Sequence, residues 1–315
     1  LATRAYEYAR AWCRTSTMSL HLVFALSCSF YGKRKPGPPI VAPRDFTPWL
    51  SQLVPSVDRL SPELDDKGSL PNDCHVVRGR ASTGEWLLCG MRRPCLVFSI
   101  GVGGDWGFDK AAAAAGCDVH SFDPTLELKA RHIKDSDSFL RSSSPLRNIS
   151  FHFQGLGSNR TRDQFASSHR SGQYGNRLGE VAHLDALMLQ HAQGRFVDAL
   201  KIDCEGCEWD EFSYLATTVP ETLRNVGVLM LELHMSPRLG LTHDVQEQGG
   251  AAAVVGRLLD LIFVTHGFRI IQVRRNTGLA ADRGIPASLQ QNASRLPTDT
   301  CCYNVMLRRP VAVHD

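Results

Sequence analysis

Apolar runs alternate with helix-forming stretches along the second part of the chain. Residues 96–100 (LVFSI) form an unbroken apolar run of the kind that parallel sheets bury on both faces. A glycine turn follows, and residues 108–115 (FDKAAAAA) then form a strong helix-forming stretch that Gly116 closes. This alternation of strand and helix predicts an α/β fold.

The same rhythm predicts six further strands. They cover residues 118–123, 149–153, 197–203, 226–234, 268–273 and 302–307. A helix is predicted to begin over residues 125–132, after Pro124. A second helix is predicted over residues 249–263, which are rich in Ala, Val and Leu.

The amino-terminal part has a different pattern. Residues 33–71 are dense in proline and polar residues, which is typical of a linker or an irregular covering segment. Residues 20–30 form an apolar run that is shorter than the roughly 20 residues needed to cross a bilayer. This run is either part of a signal peptide, the remnant of a signal anchor that could tether the chain to a membrane, or a buried helix. We therefore expect an amino-terminal segment over residues 1–85 and a folded domain over residues 86–310.

Composition excludes several classes of protein. Of 315 residues, 43% are hydrophobic and 21% are charged, which is ordinary for a folded chain and unlike disordered, collagen-like or coiled-coil proteins. The formal net charge of +3 is far from the concentrated basic excess of a nucleic-acid-binding domain, so no nucleic-acid partner is expected.

The ten cysteines allow disulfide pairing without requiring it. Two of Cys74, Cys89 and Cys95 could form a disulfide at the entry to the domain, or all three could be small buried apolar residues. Asn-x-Ser/Thr sequons occur at Asn148, Asn159 and Asn292. We therefore expect a glycoprotein of the secretory pathway lumen or a secreted protein, with the cytoplasm as the alternative.

The first predicted strand ends in a glycine turn, residues 101–107 (GVGGDWG). Such a turn lets backbone N–H groups and a helix N-terminus approach a ligand closely. Asp123 ends the second predicted strand, 22 residues after Gly101, close to the spacing of about 20 at which nucleotide-binding folds place an acid on the ribose hydroxyls. The turn and the acid predict a site for a nucleoside.

The turn also bears on which nucleoside is bound. A dinucleotide fingerprint has a third glycine where this chain has Trp106, whose bulk should obstruct helix packing and the approach of a pyrophosphate. S-adenosylmethionine has a ribose but no phosphates, and its sulfonium would be tolerated near Asp105. We therefore expect S-adenosylmethionine, with NAD as the alternative.

Two further segments carry a family resemblance. Residues 201–209 (KIDCEGCEW) match the signature K-I-D-x-E-G-x-E-W, and residues 99–109 match S-x-G-x-x-x-D-x-x-F-D. Together with residues 184–187 (LDAL) and 229–234 (LMLELH), they resemble the FkbM-type branch of class I S-adenosylmethionine-dependent methyltransferases, and more narrowly its animal methyltransferase-like proteins. The likeness covers about residues 86–308.

This resemblance implies a Rossmann-like seven-stranded sheet whose last strand is antiparallel, and methyl transfer to a hydroxyl oxygen. The expected cofactor-binding residues are Ser99, Gly101, Gly103, Asp105, Asp123, Gly155 and Leu156.

Polar residues at the ends of the fourth and fifth predicted strands are the catalytic candidates. Alternation along the fourth strand places Lys201 and Asp203 on one face, and Glu205 follows at its carboxyl end. Glu232 and His234 share a face of the fifth strand and arrive at the same edge of the sheet. We expect Lys201 to pair with Asp203 or Glu232, because an unpaired buried ammonium is costly. His234 or Asp203 is expected to act as base, and a purely structural ion-pair network is the alternative.

Other chemistry is less favoured. Cys204 and Cys207 form a C-x-x-C motif, but no second ligand pair lies at zinc-finger spacing, so we expect buried packing or a local disulfide and no metal. The chain has Asp203-Cys-Glu-Gly where amino-directed nucleic-acid methyltransferases carry an Asn/Asp-Pro-Pro-aromatic turn. We therefore expect a small-molecule or glycan acceptor, with an NAD-dependent oxidoreductase or a non-catalytic binding module as alternatives.

Overall fold

The computed structural model describes residues 73–78, 85–91, 93–159, 161–163, 177–234, 256–276 and 302–309. The strands in these residues are β1 (Cys74–Arg78), β2 (Glu85–Cys89), β3 (Cys95–Ile100), β4 (Cys117–Phe122), β5 (Ile149–His152), β6 (Gln154–Leu156), β7 (Glu180–Ala182), β8 (Val197–Ile202), β9 (Val226–His234), β10 (Arg269–Asn276) and β11 (Cys302–Arg308). The α-helices are α1 (Gly107–Ala114), α2 (Lys129–Leu140), α3 (Leu184–His191) and α4 (Cys207–Thr217).

Seven of the strands form one sheet in the order β10-β11-β9-β8-β3-β4-β5. Neighbouring strands from β9 to β5 are parallel, whereas β11 runs antiparallel to both β9 and β10. These are the seven strands predicted from the sequence, within a few residues at each end. The predicted Rossmann-like α/β fold, mostly parallel with an antiparallel last strand, is therefore confirmed.

The core lies on both faces of this sheet. Alternate residues of β3 point to opposite faces, so that Phe98 joins the apolar cluster under α3 and α4 while Val97 joins the cluster under α1. Every residue of β3 is buried, which explains why its sequence is an unbroken apolar run.

The order of the strands defines where a ligand can bind. From β3 the chain builds outward through β4 to β5 and then returns to the other side of β3 as β8. The topological switch point therefore lies between β3 and β8, and open α/β sheets bind ligands at the carboxyl ends of the strands that flank this point.

A hairpin precedes the sheet. β1 and β2 pair antiparallel and are joined by the disulfide Cys74–Cys89, and Trp86 of β2 is buried. Cys95 pairs with Cys117, which links the first residues of the parallel strands β3 and β4. The hairpin spans the predicted boundary at residue 86, and the division of the chain at that point stays a prediction.

Two helical predictions differ from the structure. The helix predicted to begin over residues 125–132 starts as a short 3-10 turn, Leu126–Leu128. It then continues as α2 to Leu140, with Phe139 buried on its inner face. Of the predicted helix 249–263, the described part begins at residue 256 and ends as a π-helical turn, Asp260–Thr265. The pair β6 and β7 was not predicted, since strands of three residues are too short to show alternation.

Several sequence predictions fall outside the described residues. They concern the apolar run 20–30, the linker 33–71 and the sequon at Asn292. None of the helices in the described part of the chain is long and apolar enough to cross a bilayer.

Candidate active site

The glycine turn lies directly against the end of β8. Gly101 has a φ of +84°, and its N–H donates a hydrogen bond of 2.9 Å to the carbonyl oxygen of Phe122. A Cβ atom at this position would lie 1.6 Å from the carbonyl oxygen of Asp203. Only glycine can therefore bring the ends of β3, β4 and β8 this close together.

Asp123 holds the turn from the neighbouring strand. Its Oδ2 accepts a hydrogen bond of 2.7 Å from the N–H of Gly103, and its Oδ1 accepts one of 2.9 Å from the N–H of Thr125. Burial by itself raises the pKa of Asp123, but the nearby His132 and these backbone N–H groups outweigh burial and lower the pKa. The carboxylate is therefore ionised. Oδ2 faces both Gly103 and His132, whereas Oδ1 accepts a single hydrogen bond and keeps a lone pair for a further donor.

His132 was not singled out in the sequence. It is fully buried, and its Nε2 lies 3.5 Å from Oδ2 of Asp123. The histidine lies on the inner face of α2 in an otherwise polar stretch, so the sequence contains no periodic signal for this contact.

Asp105 and Trp106 connect the turn to α1. Oδ1 of Asp105 accepts a hydrogen bond of 2.9 Å from the N–H of Gly107, at the first residue of the helix. The Trp106 indole packs edge-on against Phe139 and Phe151 on the α2 side. The core thus accommodates the indole, and the expected obstruction of helix packing by Trp106 is wrong.

Three other residues expected to bind the cofactor are buried in the structure. Ser99 lies opposite Ser121 on β4, and the Ser121 hydroxyl donates to Asp109 of α1 at 2.6 Å. Gly155 packs so tightly on the Pro124 ring that a Cβ atom would lie 2.3 Å from it, and the following residue, Leu156, is 3% exposed. Contacts of Ser99, Gly155 and Leu156 with a cofactor stay predictions.

Lys201 forms the ion pair that its burial predicts. Its Nζ lies 3.3 Å from Oδ2 of Asp203 and donates a hydrogen bond of 3.0 Å to the carbonyl oxygen of Gly101. The same ammonium lies 5.1 Å from the centre of the Trp86 ring. Lys201 thus orients the Asp203 carboxylate and ties it to the glycine turn.

His234 is buried among carboxylates at the end of β9. Its Nδ1 lies 3.0 Å from Oε1 of Glu208, and its Nε2 lies 3.7 Å from Oε2 of Glu205. Burial lowers the pKa of His234, but Glu208, Glu205 and Glu232 together outweigh it and raise the pKa well above the ordinary value. The imidazole therefore carries both ring protons at neutral pH, so the expectation that it acts as base is not supported.

Glu208 is a buried acid that was not predicted as a site residue from the sequence. Its Oε1 accepts the backbone N–H of His234 at 2.7 Å, and its Oε2 accepts that of Gly206 at 3.0 Å. The next residue, Trp209, donates its indole N–H to the carbonyl oxygen of His234 at 2.9 Å. The signature 201–209 ends in this Glu-Trp pair, and it is the sequence feature from which a role for Glu208 could have been predicted. Both side chains bond to His234 at the end of β9.

The antiparallel strand β11 adds a polar residue to this edge. Asn304 lies directly opposite Glu232, and both residues are buried. Among the described residues, Oδ1 of Asn304 has no hydrogen-bond partner.

The predicted convergence of the strand ends is present. Asp203, Glu232 and His234 each offer an atom that lies within 4.8 Å of the others. The adjacent Cys204–Cys207 disulfide closes the turn from β8 to α4, as the local-disulfide alternative expects. The site contains four carboxylates, at positions 203, 205, 208 and 232, and two cations, Lys201 and His234. This excess of acidic groups suits a cationic ligand.

Comparison with known proteins agrees with this fold. A family model described as "Methyltransferase domain" matches residues 79–238, just over half of the 315-residue chain. No curated protein matches the chain.

Two similar solved structures are distant. The crystal structure of mycolic acid cyclopropane synthase CmaA1 complexed with SAH and CTAB is 13% identical, with 70% of this chain and 79% of that chain covered and a TM-score of 0.34. CrArsM, an arsenic (III) S-adenosylmethionine methyltransferase from Chlamydomonas reinhardtii, is 12% identical, with 80% and 72% covered and a TM-score of 0.34. The match to the family model and the order of the seven strands show that the chain belongs to the methyltransferase-domain family and has the class I methyltransferase fold.

Proposed function

We propose that this protein transfers a methyl group from S-adenosylmethionine to a hydroxyl oxygen of a small molecule or a glycan. The observation that carries the proposal is the ionised carboxylate of Asp123, held 2.7 Å from the N–H of Gly103 beside the topological switch point. The resemblance to FkbM-type enzymes supports the choice of a hydroxyl acceptor.

The residues at the switch point fit the proposed donor. Oδ1 of Asp123 accepts one hydrogen bond and so keeps a lone pair for a ribose hydroxyl. The acidic edge formed by Asp203, Glu205 and Glu232 favours the positive charge of a sulfonium. S-adenosylmethionine supplies, when bound, a methyl group on a positively charged sulfur.

Asp203 is the proposed proton acceptor. Its side chain is 20% exposed, Lys201 orients it, and it lies at the end of the strand next to the glycine turn. His234 already holds its proton between Glu208 and Glu205, so its proposed role is to position these two acids. A carboxylate within hydrogen-bond reach of an acceptor hydroxyl can take up the proton that methyl transfer releases.

We also propose that the protein works in the secretory pathway lumen or outside the cell. The three disulfides in the described residues support this proposal, because disulfides persist in oxidising compartments. Asn159, in one of the sequons, is exposed and therefore available for glycosylation. A membrane tether through the amino-terminal segment belongs to the same proposal.

Calorimetry on the purified protein tests the donor. We expect S-adenosylmethionine and S-adenosylhomocysteine to bind and NAD not to bind. Binding of NAD alone would favour the oxidoreductase, and binding of none of the three would favour a non-catalytic module. Incubation with a methyl-labelled donor and a panel of glycans and small hydroxyl compounds then tests the acceptor, and label on amino groups only would contradict O-methylation.

A further inference from the structure

Three histidines meet on the face of the sheet opposite to Lys201. His120 lies on β4, His152 on β5 and His191 on the last turn of α3, and each offers a ring nitrogen within 4.8 Å of the other two. Nδ1 of His120 lies 2.8 Å from Nε2 of His152. We refer to these three residues as the histidine cluster.

The sheet separates the cluster from the methyl-transfer residues. His120 neighbours Ser121 on β4, so their side chains point to opposite faces of the sheet. Ser121 shares its face with Ser99 and Lys201, which are its partners in register across β3 and β8. The cluster instead contacts Phe122 and lies on the side of α3. Methyl transfer therefore gives no reason for the presence of the three imidazoles.

We propose that the histidine cluster binds a zinc ion. Zinc–nitrogen bonds of about 2.0–2.1 Å in a tetrahedral site separate the nitrogens by roughly 3.4 Å. The nitrogens of the cluster are between 2.8 Å and 4.8 Å apart. Small side-chain rotations that move each nitrogen by about an ångström therefore suffice to reach that geometry. Three protein ligands leave the fourth position of the ion to water or to another ligand.

The surroundings favour an ion at this place. All three rings are half-buried, so an ion can enter from solvent while most of its shell is protein. Oε1 of Gln154 lies 3.2 Å from Nε2 of His191 and can accept its proton, which leaves Nδ1 of His191 with a free lone pair. Metal-binding histidines commonly donate their second ring nitrogen to an oxygen in this way.

The nearby charges do not oppose a cation. Arg195 is close to the cluster, but its charge is paired with Asp118 at 2.7 Å.

A bound zinc would join β4, the short edge strand β5 and α3. The simplest alternative is a metal-free cluster held by the hydrogen bond between His120 and His152 and by stacking of their rings, which lie 5.0 Å apart at 4°. The two states differ in whether added zinc binds and stabilises the chain.

The test uses the full chain, stripped with a chelator, dialysed and titrated with zinc chloride alone. We compare the unmodified protein with His191→Ala, His152→Ala and a control, His75→Ala, which removes an exposed histidine of β1 outside the cluster. Bound zinc is measured by atomic emission, and the melting temperature is measured with and without zinc. The absorption spectrum of the unmodified protein loaded with cobalt(II) reports how the ion is coordinated, without the need for a substitution.

We expect one zinc per chain and a rise in melting temperature for the unmodified protein and for the control. Affinity should fall by at least about 100-fold in the two cluster variants, because loss of even an outer-shell partner costs 10- to 100-fold. Absence of zinc binding to the unmodified protein would overturn the proposal. Equal binding by His191→Ala would also overturn it, since the zinc would then lie elsewhere, for instance at Asp203, Glu232 and His234.

Discussion

Glu208, on the first turn of α4, is bound twice to His234, the last residue of β9. One carboxylate oxygen accepts both the backbone N–H of His234, at 2.7 Å, and its Nδ1, at 3.0 Å. Both side chains are buried, so this pair sets the position of the strand end that carries the acidic edge of the site.

Replacement of Glu208 should be strongly destabilising. Glu208→Ala leaves a buried imidazolium without its closest counter-charge, and the free energy of unfolding should fall by about 3–5 kcal/mol. Urea denaturation measures this loss. The control is Glu221→Ala, which removes an exposed acid outside the site and should change the stability by less than about 0.5 kcal/mol.

The same pair should make stability depend on pH. The raised pKa of His234 means that the folded chain binds a proton that the unfolded chain releases near pH 6.5. This contribution is complete below about pH 6.5 and is lost as the pH rises through the folded pKa, so the free energy of unfolding should decrease on the alkaline side. Urea denaturation at a series of pH values measures the slope, and His234→Gln should flatten it. An equal slope in that variant would contradict the assignment.

Asp123 should determine donor affinity. Asp123→Asn removes the negative charge, and with it hydrogen bonds to hydroxyl groups that are worth about 1.5–3 kcal/mol each when one partner is charged. We expect S-adenosylmethionine to bind about 100-fold more weakly by calorimetry. Asp118→Asn removes a half-exposed acid on the same strand, which pairs with Arg195, and this matched control should bind normally. Unchanged binding by a folded Asp123→Asn protein would remove Asp123 from the donor site.

Asp203 should affect the rate more than donor binding. If it takes up the acceptor proton, Asp203→Asn should lower kcat by about 100- to 10,000-fold while the affinity for S-adenosylhomocysteine changes little. Single-turnover kinetics with a labelled donor measure the rate, and calorimetry measures the affinity. A folded variant with unchanged kcat would assign the proton to another group.

Gly101 should be intolerant of any side chain. Gly101→Ala places a Cβ against the carbonyl of Asp203 and also strains a φ of +84°, so the loss of stability should exceed about 3 kcal/mol. Gly194→Ala is the matched control, because Gly194 has a φ of +78° and a Cβ added to it would meet no atom within 4 Å. That variant tests the backbone strain alone and should cost about 1–2 kcal/mol.

The strands β3 and β9 were predictable because strands buried on both faces are mostly apolar. β9, Val226–His234, has the bounds that its apolar run predicted, and β3 begins one residue before the predicted run. Helix ends and three-residue strands were less predictable, since their positions depend on which side chains the rest of the chain covers. The helix predicted to begin over residues 125–132 starts with a 3-10 turn, and α2 continues to Leu140 with Phe139 buried.

The candidate site was predictable only in part. Lys201 was expected to pair with Asp203 or Glu232 because an unpaired buried ammonium is costly, and in the structure it pairs with Asp203. The contacts of Asp123 with His132, and of His234 with Glu208, join residues on different elements. Such distances are set by how the helices pack on the sheet.

The amino-acid sequence by itself determined the kind of fold, the glycine turn with its acid and the polar residues that arrive at the sheet edge, because these follow from local periodicity and spacing. Only the tertiary structure decided which of those polar groups carries a proton. Burial of His234 among three carboxylates is a property of packed elements, and it changes the expected base into a cation. The histidine cluster is of the same kind, since its three imidazoles come from separate elements that only folding brings together.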